Sequence, residues 1–427
     1  MIDIKLIREN PEKVRAALLK RMDALSFDEL LLWDGERRDT IQKSEALKNE
    51  RNVVSSEIAK MKKGGLDASE ALARMKAVGE EIAGLDRLLA DLNDRIHAFM
   101  SGLPNIPDDD VPAGGKESSV TLRVWGEKPS FGFPAKNHIE LCESLGLIDY
   151  PRGVKLSGAG HWVYRGMGAR LEWALLNFFV REHIADGYEF LLLPHILNYR
   201  CGYVAGQFPK FMADDYWIDG GPDEGGKFLL PTAETALINY HCDEILDEKD
   251  LPRKYFSYSP CFRREAGSTR AEERGMIRGH QFNKVEIVQF AHPDHSGAAF
   301  DELTRKAESL VQKLGLHYRL SQLAAEDCSS AMGRTYDIEI WIPSMGIYKE
   351  VSSASNAYDY QARRGRIRFR DGEGGTRLVH TLNASGLATS RLMPAIVEQF
   401  QREDGSVAVP EALRGDVGTD RICPQDV

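Results

Sequence analysis

Between residues 260 and 288, five guanidiniums (Arg263, Arg264, Arg270, Arg274 and Arg278) fall within sixteen positions. Arginine's planar fork makes paired contacts with phosphate oxygens, so the stretch suits a polyanion. Phe262-Arg263-Arg264-Glu265 closes one apolar segment (255–262), and Phe282 with the lone carboxylate Glu286 lies on the return segment (282–290). A charged loop between two strands can fold over a phosphate chain while the strands hold it rigid. The same pattern also describes a solvated hairpin loop.

Three further clusters could do chemistry. Thr232 and Glu234 alternate with Ala233. On an extended stretch both would face one side, where a hydroxyl and a carboxylate can hold an ammonium group. Alternatively Thr232 caps a helix that has Glu234 in its first turn. Glu350 and Ser353 offer hard oxygens of the kind magnesium takes, beside substrate phosphates, on what otherwise reads as a polar edge strand. Arg391 falls in the first turn of a helix that follows the small-residue run 380–390. The helix dipole disfavours a cation there, and a bound anion or simple screening would relieve the conflict. Gly386 and Ala388 in that run would permit close approach of a ligand. His292-Pro293-Asp294-His295 has metal-like spacing but reads as a surface loop.

The elements that must position these groups come in two kinds. Residues 1–25 read as a short helical lead-in, with Asn10-Pro11-Glu12 supplying a cap, a first-turn proline and an acid. From Phe27 to about Phe99 the pattern is long helix. Leu72, Met75, Val78, Ile82, Leu85, Leu89, Leu92, Ile96 and Phe99 form a heptad seam, and Leu30, Trp33, Ile41, Val54, Ile58 and Met61 a looser stripe. Lys63-Gly64-Gly65-Leu66-Asp67 between them turns the chain back, predicting an antiparallel hairpin arm. At 1.5 Å per residue, ~35 residues per helix gives roughly 50 Å. Lys60, Lys62 and Lys63 make the tip basic, as a phosphate backbone would require, although a spacer or dimerising coiled coil would look similar. Prolines 104, 107 and 112 with Gly114-Gly115 mark a boundary. Strand-like and helical segments then mix without regular βαβ alternation or a phosphate-binding glycine loop, Gly225-Gly226-Lys227 being too short for one.

The chain has 427 residues, 42% of them hydrophobic, and a formal net charge of −10. That charge excludes a general polyanion binder, so any nucleic-acid contact must come from a local basic patch. Six scattered cysteines without a Cys-x-x-Cys pair predict reduced thiols in a cytoplasmic protein, with no zinc. No signal peptide and no membrane span are expected.

Phe262-Arg263-Arg264-Glu265, the loop, and Arg278-x-His280-Gln281-Phe282-x-Lys284-Val285-Glu286 resemble motif 2 of a class II aminoacyl-tRNA synthetase, in the wording of the seryl-tRNA synthetases. The helix-strand-proline run 168–194 resembles motif 1, and His380–Arg391 resembles motif 3. Thr232-Ala233-Glu234 and Glu350-Val351-Ser352-Ser353-x-Ser355-Asn356 match that family's wording in the correct order. The resemblance implies an α+β fold: an antiparallel-sheet class II catalytic domain (106–427) preceded by an N-terminal tRNA-binding helical domain (1–105) with a coiled-coil arm at about 27–100. It implies a cytoplasmic homodimer that uses ATP and Mg2+ to activate L-serine and charge tRNA(Ser), with tRNA(Sec) a further possible acceptor.

Residue roles implied by the resemblance follow the motif positions. Arg263, Glu350 and Arg391 form the catalytic set. ATP is met by Arg263, Arg264, Glu265, Phe282, Glu350, Val351, Ser352, Ser353 and Arg391. Within that set Arg263 steadies the α-phosphate, Glu265 meets the adenine and Phe282 stacks on it, while Arg391 holds the γ-phosphate. Glu350 and Ser353 take magnesium. Serine is met by Thr232, Ala233, Glu234, Arg263, Glu286, Asn383 and Ser385. Lys60, Lys62 and Lys63 meet the tRNA.

The sequence departs from the family's common wording at Thr235-Ala236, Asn283, Ala384, Thr389-Ser390 and Gly160-His161-Trp162. Ala384 would add a methyl beside the amino-acid site. The departures leave room for a specialised copy, for inhibitor resistance or biosynthesis. Two other readings are a serine-adenylating enzyme that loads a different acceptor and a non-catalytic RNA-binding paralogue. The retained arm opposes the first, and the intact Arg263, Glu350 and Arg391 oppose the second.

Overall fold

Arg253–Phe262 and Gln281–Ala291 pair antiparallel, with Phe256 opposite Ile287 and Cys261 opposite Phe282, so the arginine-rich stretch is the loop of a hairpin. The computed structural model describes residues 1–265 and 275–424; Arg270 and Arg274 lie outside the described residues.

The hairpin belongs to an eight-stranded sheet. In chain order its strands are β1 (Val120–Trp125), β2 (Glu189–Phe190), β3 (Arg253–Phe262), β4 (Gln281–Ala291), β5 (Tyr318–Gln322), β6 (Arg334–Ile342), β7 (Ile347–Tyr358) and β8 (His380–Ala388). Their spatial order is β1-β5-β6-β7-β8-β4-β3-β2, and every neighbouring pair is antiparallel except β2 with β3. The expected antiparallel sheet is therefore present.

Side chains alternate across the pleat. Val285, Ile287, Ile338, Ile340, Val351, Ala354, Leu382 and Ala384 go to one face and join the main core. Residues Leu171, Leu175 and Phe179, then Leu303 and Leu310, then Leu392 and Ile396, complete that core. They come from the helices Met167–Ala185, Ser296–Lys313 and Thr389–Gln399. The intervening positions Lys284, Glu286, Asp337, Glu339, Asn383 and Ser385 fall on the other face. An antiparallel sheet packed by helices on one side keeps its second side for polar work.

Two expectations for this domain change. The apolar run 187–194 forms only the two-residue β2; Leu191 N–H still donates to the Phe256 carbonyl at 2.9 Å, after which the chain leaves the sheet and Leu192 is exposed. A short parallel edge strand followed by proline has little ladder to continue. The proline-rich boundary is also pinned: the Asn105 amide donates to the Ala331 and Ala357 carbonyls, both at 2.9 Å. The Arg21 guanidinium donates to the carbonyls of Asn105 and Met332, both at 3.0 Å, and of Ala325 at 2.9 Å. Hence the chain divides into one compact unit of Met1, Lys20–Met22 and the residues from Pro104 on, and another of Ile2–Leu19 and Asp23–Leu103.

The second unit holds two short helices, Ile4–Glu9 and Pro11–Leu18, and a hairpin of two long ones, α1 (Asp28–Lys63) and α2 (Ser69–Gly102), reversed at Gly64 and Gly65, the latter at φ +69°. Trp33 meets Phe99 edge-on at 6.4 Å, and Lys48 pairs with Asp86 at 3.1 Å, which fixes the antiparallel register. The seam departs from the expected stripe. Ile41 is exposed, and the buried positions in that half of α1 are Leu30 from the expected stripe and the polar Asp34, Thr40 and Ser44. Asp34 survives burial because Arg8 and Arg37 donate to it at 2.8 and 2.6 Å. Among the described residues no helix is long and apolar enough to cross a membrane.

Candidate active site

The open face of β3, β4, β7 and β8 gathers two polar groups. At the first, Lys284 and Glu286 stand two residues apart on β4 and so face one side. Lys284 Nζ lies 2.5 Å from Glu286 Oε2 and donates to Thr232 Oγ1 at 2.6 Å. Asn383 of β8 donates to Glu286 Oε1 at 3.2 Å, and Ser385 stands opposite Glu286 in the ladder. The Glu234 carboxylate accepts from Gln361 at 2.9 Å. Burial, and then the nearby Glu286, push the Glu234 carboxyl up to about 7.

Thr232 and Glu234 do come together with Glu286, but not on an extended stretch. Residues 231–233 bend, and Glu234–Ile238 is a short helix with Ala233 in helical conformation at its start. Thr232 Oγ1 accepts from the Glu234 N–H at 3.3 Å, a local bond that threonine offers in place of a strand ladder. Ala233 packs in an apolar cluster with Leu237 and Val288.

At the second group, Glu350 and Ser353 are three apart on β7 and would face opposite sides of a regular strand. A bulge reconciles them: Ser352 pairs with Ile338 while Glu350 pairs with Glu339, leaving Val351 extra. Ser353 Oγ therefore reaches Glu350 Oε1 at 3.1 Å and Asp337 Oδ1 at 2.5 Å, and its one proton serves one of them. Val351 points into the core, and Ser352 donates to the Ser385 carbonyl at 2.7 Å. Arg391 Nη1 donates to the Glu350 carbonyl oxygen at 2.7 Å and lies 3.3 Å from its carboxylate. Surrounding protein works against ionisation of Glu350, but Arg391 and then Arg263 override it and hold the carboxyl below its usual range. Asp337 is the reverse, raised well above the usual range by burial and then by Glu350.

Arg263 lies between the groups, its Nε donating to the Pro231 carbonyl at 3.3 Å and its guanidinium 5.3 Å from the Phe282 ring centre. The Arg264 N–H donates to the Asp214 carbonyl at 2.8 Å, and Glu265 accepts from Arg278 Nε at 2.8 Å. Lys60, Lys62 and Lys63 end α1 in the other unit, all exposed.

Lys284, Gln361 and Asp337 carried no expected role. The alternation that put Glu286 on the open face would have found Lys284; Gln361 and Asp337 arrive by tertiary packing. Two expectations are corrected. Ala384 is fully buried in the core beside Leu382, so its methyl points away from the open face. Gly386 serves packing: a Cβ there would sit 2.3 Å from the His183 Nε2, which donates to the Gly386 carbonyl at 2.9 Å. The other departures fit one another. Asn283 and Thr389 meet at the carboxylate of Glu172. Gly160 and Trp162 pack on Gly279 and His280, where a Cβ on Gly160 would come within 2.7 Å of His280 and one on Gly279 within 2.2 Å of Trp162.

The family model described as tRNA synthetase class II core domain (G, H, P, S and T) matches residues 216–400, the span from which the open face draws its groups. These residues form a class II aminoacyl-tRNA synthetase core. The model described as seryl-tRNA synthetase N-terminal domain matches residues 1–107. The serine--tRNA ligase 2 of Clostridium acetobutylicum is 57% identical over 425 residues, covering 99% of this chain and 100% of its own. That of Kosmotoga olearia is 46% identical over 427 residues, covering 99% and 100%. The crystal structure of seryl-tRNA synthetase from Pyrococcus horikoshii complexed with ATP matches at a TM-score of 0.93 and 35% identity over 100% of both chains. The chain belongs to the seryl-tRNA synthetase family.

Proposed function

We propose that this chain activates L-serine with ATP and transfers the seryl group to tRNA(Ser), with the chemistry in residues 106–427 and the tRNA contact in residues 1–105. The carrying observation is that one sheet face presents two unlike groups side by side. One is a carboxyl pair (Glu234, Glu286) with Lys284 against Glu286, and the other an arginine pair (Arg263, Arg391) around Glu350. An amino acid brings an ammonium and a triphosphate brings anions, and each group suits one of them.

Thr232 and Glu234 take the ammonium end. Glu286 and Ser385 face the serine hydroxyl, so an alanine ligand would leave buried polar groups unpaired. The serine carboxylate attacks the α-phosphate in line beside Arg263 and pyrophosphate leaves toward Arg391; the terminal ribose hydroxyl then takes the acyl group as an ester, and AMP leaves. No covalent enzyme intermediate is required, so catalysis is positioning and charge stabilisation. Phe282 offers its ring to the base; Glu265 meets the adenine once its contact with Arg278 is shared.

The Glu350 carboxylate, held ionised by its arginines, and the Ser353 hydroxyl fit magnesium's preference for hard oxygens. Bound with ATP, the ion would neutralise phosphate charge. Lys60, Lys62 and Lys63 meet the tRNA backbone. The protein works as a cytoplasmic homodimer, and tRNA(Sec) is a further possible acceptor.

The test is charging of total tRNA with labelled serine in the presence of ATP and magnesium. Acid-precipitable serine is expected; a folded protein that forms seryl-adenylate but leaves tRNA uncharged would favour a serine-adenylating enzyme with another acceptor.

A further inference from the structure

The helix Met167–Ala185 turns Leu171, Ala174 and Leu175 into the core, and Glu172 goes in with them at 3% exposure. A carboxyl among apolar groups is costly unless its oxygens are bonded. Two donors arrive from separate elements and meet at one oxygen. Asn283 Nδ2 donates to Glu172 Oε1 at 2.7 Å, and the Thr389 hydroxyl lies 2.6 Å from that atom. The Asn283 amide is itself oriented, because its Oδ1 accepts from the Tyr258 hydroxyl at 3.1 Å. The Thr389 hydroxyl also lies 3.2 Å from the Asn283 carbonyl oxygen, so the three residues form a triangle in which its one proton serves one of the two oxygens.

The chain positions of the two donors give the triangle its meaning. Asn283 follows Phe282 on β4. Thr389 opens the helix Thr389–Gln399, two residues before Arg391. Adhesion between that helix and the sheet is already supplied by Leu392, Met393, Ala395 and Ile396, each fully buried. Apolar contact has no preferred direction, whereas hydrogen bonds to a shared oxygen do.

We propose that Glu172 is a positioning residue for the nucleotide: by holding Asn283 and Thr389 to one carboxylate oxygen, it fixes the Phe282 ring relative to the Arg391 guanidinium. This rests on the reading that those two groups grip ATP. Glu172 touches no substrate; it acts through its two partners.

The experiment measures ATP affinity by titration with ATP and magnesium in the absence of serine, together with serine-dependent ATP–pyrophosphate exchange. The variants are Glu172→Leu, Thr389→Val, Thr389→Ser and the double Glu172→Leu/Thr389→Val. Loss of a hydrogen bond to a buried carboxylate predicts about tenfold weaker ATP binding for each of the first two, with the KM for serine moved by no more than about threefold. Thr389→Ser restores the hydroxyl and recovers most of the loss, and the double variant is no worse than the worse single. Unchanged ATP affinity overturns the inference, as do equal shifts in the two KM values or additive losses. If Glu172→Leu does not fold, Thr389→Val against Thr389→Ser carries the test. A wild-type protein without serine-dependent exchange refutes the proposed function, whereas intact exchange with unaffected variants refutes only the role of Glu172.

Discussion

The arm and the sheet bury themselves by different means and keep their reactive groups in different places. In the arm a buried apolar cluster lies near the turn (Val54, Ile58, Ala68), and farther from it the seam mixes Asp34, Thr40 and Ser44 with Leu30, Ile82, Leu92 and Ile96. Its lysines are exposed. In the sheet one face is filled from three helices, and the other buries Glu286, Lys284 and Asp337 almost completely. Surface lysines act through long-range attraction that salt weakens, whereas buried carboxylates act through short, directional bonds in a low dielectric. Side-chain changes in the two regions should therefore fail differently.

The largest effect belongs to the sheet. Arg263→Ala is expected to lower serine-dependent ATP–pyrophosphate exchange by roughly 10²–10³-fold, as loss of a charge-stabilising donor does, while tRNA binding stays near normal. Equal loss of both would end the division of labour. The converse change, Lys60, Lys62 and Lys63 together to alanine, should weaken tRNA binding by roughly tenfold and flatten the slope of log affinity against log salt by up to about 2.7, with adenylation retained. A filter-binding series in salt reads both numbers.

A smaller effect concerns pH. The Glu234 carboxyl is raised to about 7 by burial and then by Glu286, so its neutral form dominates below that pH. That contribution to stability is complete below the ordinary carboxyl range and is lost as pH rises through about 7. Thermal melts from pH 5 to 8 should show the wild type falling by a few degrees relative to Glu234→Gln; parallel curves would mean that Gln361 and Lys284 keep the carboxylate ionised throughout. The smallest effect is in the arm. Thr40→Val fills the seam with a methyl in place of a hydroxyl bonded to the Glu36 carbonyl at 2.7 Å, and should stabilise the hairpin by about 0.5–1 kcal/mol in denaturant unfolding.

Much of the site was legible because motifs fix order along the chain, and order along antiparallel strands fixes who can meet. Glu286 and Ser385 are directly opposite, and Arg263 and Phe282 flank one hairpin end. Less legible were positions where the backbone leaves its regular period. Alternation alone would have separated Glu350 from Ser353; the bulge at Val351 joins them. The Thr232-Ala233-Glu234 run reads as strand or helix cap, and the structure puts Ala233 at the N-cap, with Thr232 bonded to the Glu234 N–H from one residue before it.

By itself the sequence determined the helical hairpin with its glycine turn and the identity of the polar residues, because periodicity and turn chemistry are local properties, while the antiparallel sheet was implied by the family resemblance. Only the tertiary structure decided that Ala384 faces the core, that Gly386 makes room for His183, and that Glu172 joins Asn283 to Thr389. Each of those depends on which face a residue shows to a segment more than a hundred residues away, and no local period carries that information.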